Sequence, residues 1–162
     1  MKNSTQLILV IIVSCVVCLS VGYLGSKSTT SENMSGWYAS LNKPSFNPPG
    51  WIFGPVWTIL YIMMGISFAL VFNKGIGQKA VLIAVICFVV QLILNGIWSP
   101  VFFGLQKPFE AFLIIIALWL AIIVTIWKFY GVSKPAAALL IPYLIWVSFA
   151  SILNASIWIL NK

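Results

Sequence analysis

Apolar positions in this chain come in long blocks. Leu7 to Leu24, Trp51 to Phe72, Ala80 to Phe103, Phe109 to Phe129 and Ala136 to Leu160 are almost unbroken by charge. A helix rises ~1.5 Å per residue and a bilayer's hydrocarbon core is ~30 Å thick, so each block can cross it. The pattern predicts an all-α membrane protein, a bundle of five transmembrane helices in a single domain over residues 1–162. Helices are expected at about 6–25, 51–73, 79–103, 108–130 and 135–160, with 26–50 as a long loop after the first. The first block has a second reading. Lys2 precedes an apolar run, and Ile12-Val13-Ser14-Cys15 resembles a lipoprotein processing site. Hydrophobicity nevertheless continues for about nine residues past Cys15, where a lipoprotein's mature start is polar, so the block reads as a span.

Between the first two blocks, Gly36 to Tyr61 reads GWYASLNKPSFNPPGWIFGPVWTILY, with three Trp, four Pro and three Gly. Proline fixes φ and removes a donor, so Pro44 to Pro49 is neither ordinary helix nor central strand. Indole and phenol rings suit a membrane interface or the faces of a flat ligand. So many large aromatics mark a built loop rather than a disordered linker. Its Pro and aromatic residues lack partners within the loop, so ligand is expected to order it.

Composition agrees with the bilayer: 62% hydrophobic residues, 7% charged and a mean hydropathy of +1.08. The net charge of +7 comes from nine dispersed lysines, without Arg or a basic patch, so nucleic acid is not a partner. Lys2, Lys74, Lys79, Lys128 and Lys134 fall on one side of a five-span topology. Lys27, Lys43, Lys107 and Lys162 fall on the other, with Glu32 and Glu110. Five lysines against four slightly favour an inside N-terminus and an outside aromatic loop. The chain has no His, and neither acid sits mid-membrane, which disfavours imidazole catalysis and proton-coupled pumping. Cys15 and Cys18 form a CxxC without a second pair, read as small apolar helix residues rather than metal ligands. No metal site and no conventional catalytic constellation is expected.

Polar and aromatic residues inside the spans fall into faces. Gln91, Asn95 and Trp98 share one face of the third helix; Tyr143, Trp146, Ala150 and Asn154 share one of the fifth; Trp57, Tyr61, Met64 and Phe68 share one of the second. Lipid cannot satisfy the amides, so these faces point inward. Two readings stand: hydrogen bonding between helices, or the lining of a cavity. Three such faces beneath an aromatic loop favour the cavity. Trp119 and Trp127 read as packing or lipid-facing residues, and Trp158 as an interface anchor.

The blocks WYxxLxKPxFxPPxWxFxPVWxxLYxxMG (37–65), NxxWxPxFFG (95–104) and PYLxWxxFAxxLN (142–154) resemble the translocator protein family. Its members are also called tryptophan-rich sensory proteins or peripheral benzodiazepine receptors. The resemblance runs the length of the chain and implies a five-helix bundle, often a homodimer, with a cavity between helices closed by the first loop. It implies binding of porphyrins such as protoporphyrin IX and of isoquinoline carboxamide and benzodiazepine-type drugs, for tetrapyrrole sensing, sequestration or transport. No cofactor is required, because porphyrin is the ligand. Matching positions would place Tyr38 from the loop and Trp51, Phe53 and Trp57 from the second helix in the cavity wall. Asn95 and Trp98 would join from the third helix, and Trp146, Ala150 and Leu153 from the fifth. In bacterial members the pair matching Trp57 and Trp146 is implicated in light-driven degradation of protoporphyrin, which gives an alternative, photo-oxidative function. The family's cholesterol motif is broken here by Ala155 and Ser156-Ile157-Trp158, which speaks against sterol recognition, and Glu110 replaces an aromatic of animal members. Both departures point to a bacterial-type member, an integral protein of a bacterial cell membrane.

Overall fold

The computed structural model describes residues 4–162; Lys2, counted above in the charge balance, lies outside them. All regular structure among these residues is helical, and five stretches are long and apolar enough to cross a membrane. The first is α1 (Ser4–Ser26), free of charge throughout and ending where Lys27 and the Ser/Thr run begin. Short helices α2 (Ser31–Ser35) and α3 (Trp37–Ser40) follow within the loop. The second span enters through a tight turn at Gly50–Ile52 and continues as α4 (Phe53–Phe72). The third is α5 (Lys79–Ser99), the fourth α6 (Pro108–Val132), and the fifth is α7 (Lys134–Leu139) followed by α8 (Ile141–Leu160).

Proline sets several of these boundaries. Pro55, Pro108, Pro135 and Pro142 all fall in first turns, where N–H groups have no intrahelical partner to lose. Two spans depart from the continuous helices expected. The third is extended beyond Ser99 by one π-helical turn, Pro100–Gly104, closed by Leu105 N–H to the Pro100 carbonyl at 2.9 Å. The fifth is interrupted at Leu140, because Pro142 cannot donate back to the preceding turn. Between α4 and α5 the chain reverses at Gly75, whose φ of 106° is open to glycine and strained for other residues.

The spans form a ring: α1 packs on α4, α4 on α7, α8 on α6, α6 on α5, and α5 back on α1. Lipid is as apolar as leucine, so burial does not drive helices together; close packing and polar contacts do. The α1–α4 contact is the tightest kind. A Cβ on Gly65 would lie 2.6 Å from Cys15 Cα, and one on Gly22 would run into the Tyr61 ring.

The loop packs both on itself and on the third span. Thr30 Oγ1 caps α2 by accepting Asn33 N–H at 3.1 Å. Tyr38 is buried against Phe102 and Phe103 of the π turn, with ring centroids at 6.3 and 5.4 Å. The partners missing within the loop are supplied by the third span.

Candidate functional site

The backbone of α8 makes little close approach to α4 or α5, although it packs firmly on α6. The space between these three helices is filled by large side chains, most of them from the three faces singled out in the sequence. Two polar knots cross it. In the first, Tyr61 Oη donates to Asn95 Oδ1, Asn95 Nδ2 donates to Tyr143 Oη at 2.9 Å, and Tyr143 Oη donates to Gln91 Oε1 at 2.9 Å. In the second, Trp98 Nε1 donates to Asn154 Oδ1 at 3.0 Å, and Asn154 Nδ2 donates to the Pro108 carbonyl at 2.8 Å. Each knot ties three helices, α4–α5–α8 and α5–α6–α8. Asn95 and Trp98 therefore spend their polar atoms on neighbouring helices while flanking the same space.

Toward the loop the filling becomes aromatic. Trp57 stacks on Tyr61 at 5.6 Å and meets Tyr143 edge-on at 6.2 Å. One turn earlier, Phe53 meets Trp146 at 5.9 Å. Trp146 continues to Phe149 at 5.5 Å, and Phe149 to Phe46 of the loop at 6.3 Å. Ala150, one turn beyond Trp146, leaves the wall thin between bulky neighbours. Tyr38, Leu153, Phe53 and Trp98 share a second apolar cluster with Phe102 beneath the loop.

Within this packed region two buried donors among the described residues have no acceptor: Trp146 Nε1 and Gln91 Nε2. A buried donor left unpaired costs ~1–3 kcal/mol, so native interiors rarely keep one. Both are on the faces that line the space between α8 and its neighbours.

The structure brings together most of the residues singled out from the sequence: Tyr38, Phe53, Trp57, Asn95, Trp98, Trp146, Ala150 and Leu153. Trp51 is not among them; it is 75% exposed at the start of the second span. Phe46, Phe149 and Asn47 were not singled out. Phe149 was accessible in principle, lying three residues after Trp146 on the same helical face. Asn47 accepts the Tyr38 Oη–H at 3.0 Å, a pairing across a proline-rich turn that no periodicity announces. Burial raises the Tyr38 phenol above its ordinary pKa, and the Asn47 bond partly offsets this.

The outer tryptophans divide by role. Trp119 Nε1 donates to Ser148 Oγ at 2.8 Å and so pins α6 to α8. Trp127 is exposed, with the Lys128 ammonium 4.1 Å above its ring. Trp158 packs on Phe109 and Phe112 under the Lys162 ammonium.

The profile of the TspO/MBR family matches residues 14–159. The chain belongs to the TspO/MBR family. It is 48% identical to tryptophan-rich protein TspO of Chlorobaculum tepidum over 145 residues, covering 90% of this chain and 91% of that protein. It is 44% identical to tryptophan-rich protein TspO of Archaeoglobus fulgidus over 154 residues, 95% of this chain and 98% of the relative. It is also 41% identical to the human translocator protein over 87 residues, 53% of this chain and 50% of that one. This TspO/MBR chain is an integral membrane protein with five helices able to span the bilayer.

Proposed function

We propose that this TspO/MBR protein binds a porphyrin, protoporphyrin IX being the reference ligand, in the aromatic space between α4, α5 and α8 beneath the loop. The role of such binding would be tetrapyrrole sensing, sequestration or transport. The observation that carries the reading is the buried indole N–H of Trp146, unpaired among rings of Phe53 and Phe149. A flat apolar ligand with peripheral acceptor atoms supplies stacking faces and an acceptor together. Planar drugs of the isoquinoline carboxamide class would satisfy the same chemistry. The rings are in mutual contact, so a ligand has to part pairs such as Phe53–Trp146. An aromatic pair is worth ~0.5–1.5 kcal/mol beyond its burial, a small cost against burying a macrocycle.

The test is quenching of Trp fluorescence by protoporphyrin IX in detergent, in the dark. Saturable quenching that weakens severalfold in Trp146→Ala supports the reading, and quenching that never saturates defeats it. Trp57 stacked on Tyr61, whose hydroxyl is hydrogen-bonded, favours a second reading of light-dependent degradation of the bound porphyrin, with dioxygen as the oxidant and Trp57 and Trp146 as the participating indoles. Porphyrin loss under light that is unchanged in both Trp57→Phe and Trp146→Phe removes that reading while leaving binding intact.

A further inference from the structure

At the end of the bundle opposite the loop, α5 begins and α6 finishes. A notch of about 320 Å³ opens between them, lined by Ala80, Ile83, Trp127, Lys128, Gly131 and Val132. Its walls are apolar except at Lys128, which is held by its own neighbour: the ammonium lies 4.1 Å over the Trp127 ring. Lys128 stands four residues before the end of α6, about 6 Å along the axis, the depth from which a lysine snorkels to the headgroups. Beside it, Tyr130 is exposed under the Lys134 ammonium at 5.5 Å, so this rim carries interfacial aromatics and cations together.

Charge on the two ends differs. Lys74, Lys79, Lys128 and Lys134 lie at this end, and among the described residues no carboxylate does. Both acids, Glu32 and Glu110, lie at the other end, where Glu110 pairs with Lys107 at 3.4 Å. The first turn of α5 holds no acidic residue, and its Gln78 amide is turned to the Lys74 carbonyl at 2.7 Å. Gly131 lines the notch with open space beside it, since a Cβ there would meet nothing within 4 Å.

We propose that this notch seats one anionic phospholipid, its phosphate on the Lys128 ammonium and its first methylenes against Ile83 and Val132. The uncompensated lysines complement net negative charge, which selects anionic over zwitterionic headgroups; the apolar walls take the chain that a free anion lacks. The site is separate from the aromatic space, so it stands or falls independently of the porphyrin reading.

The test uses the full chain in detergent, titrated with dioleoylphosphatidylglycerol or dioleoylphosphatidylcholine and read by native mass spectrometry for the first lipid bound. Phosphatidylglycerol is expected to bind the tighter. Lys128→Gln should weaken it roughly fivefold, the worth of one lysine near an anionic surface. Gly131→Leu should weaken it comparably by filling the notch with no change of charge. Lys27→Gln, at the opposite end, should leave it unaltered. Far-UV circular dichroism confirms that each variant is folded. Equal retention of the two lipids, or wild-type phosphatidylglycerol affinity in either notch variant, overturns the proposal.

Discussion

Asn42 of the first loop and Asn161 at the end of the fifth span hold each other. Asn161 Oδ1 accepts the Asn42 N–H at 2.9 Å, and Asn161 Nδ2 donates to the Asn42 carbonyl at 2.9 Å. Asn42 lies between α3 and the prolines, and Asn161 directly follows α8. The clasp therefore joins the loop to the helix that carries Trp146. Both bonds are exposed, so each is worth at most ~1 kcal/mol. Asn161→Ala is expected to speed chymotryptic cleavage of the loop severalfold, with thermal stability of the bundle little changed. Cleavage at the wild-type rate would mean that the loop is held elsewhere.

Asn95 is the shared partner of two tyrosines on two other helices. Asn95→Leu strands the Tyr61 hydroxyl inside the bundle and removes the donor to Tyr143 Oη, which keeps only its bond to Gln91. Interhelical bonds in membranes average only ~0.6 kcal/mol, but stranded polar groups add to the loss, so about 2 kcal/mol is expected. Reversible unfolding in mixed micelles measures it. A loss below ~0.5 kcal/mol would show that the tyrosines find new partners.

Gly65 permits the α1–α4 contact. Its missing Cβ would meet Cys15 Cα at 2.6 Å, and backbone cannot step aside as a side-chain tip can. Gly65→Ala should cost ~1–3 kcal/mol through overpacking, whereas Gly54→Ala, with nothing within 4 Å, should be neutral or slightly stabilising. Equal unfolding midpoints for the two variants would contradict the packing described.

Tyr38 gives the loop a dependence on alkaline pH. Its phenol pKa is raised by burial, so the folded loop favours the neutral form. The contribution is complete below the unfolded phenol's pKa of ~10 and is lost as pH rises through the higher folded value. Absorbance titration at alkaline pH, subtracting Tyr38→Phe from wild type, should show this phenol ionising above ~10. A difference titrating at or below ~10 would place Tyr38 in water.

Much of the fold was legible because apolar block length is a coarse signal. The five spans and the inward faces of Gln91, Asn95, Tyr143 and Asn154 follow from length and the 3.6-residue period alone. Breaks within spans were harder to read. Pro100 and Pro142 were visible, but whether proline gives a π turn or an interruption depends on the packing around it. The cavity-or-bonding alternative for the amides could not be decided from the sequence, since both uses put the same residues on the same face. Trp51 entered the candidate wall through the family resemblance rather than through periodicity, and the structure leaves it exposed at the start of the second span.

The account turns on the Trp146 indole N–H, buried among rings without an acceptor. Its direct probe is the proton–nitrogen correlation spectrum of the eight indoles in detergent, with the Trp146 signal identified by its loss in Trp146→Phe. Added protoporphyrin IX should shift that signal saturably while exposed Trp127, at the far end of α6, stays in place. A Trp146 resonance unmoved at ligand saturation would contradict the proposed site.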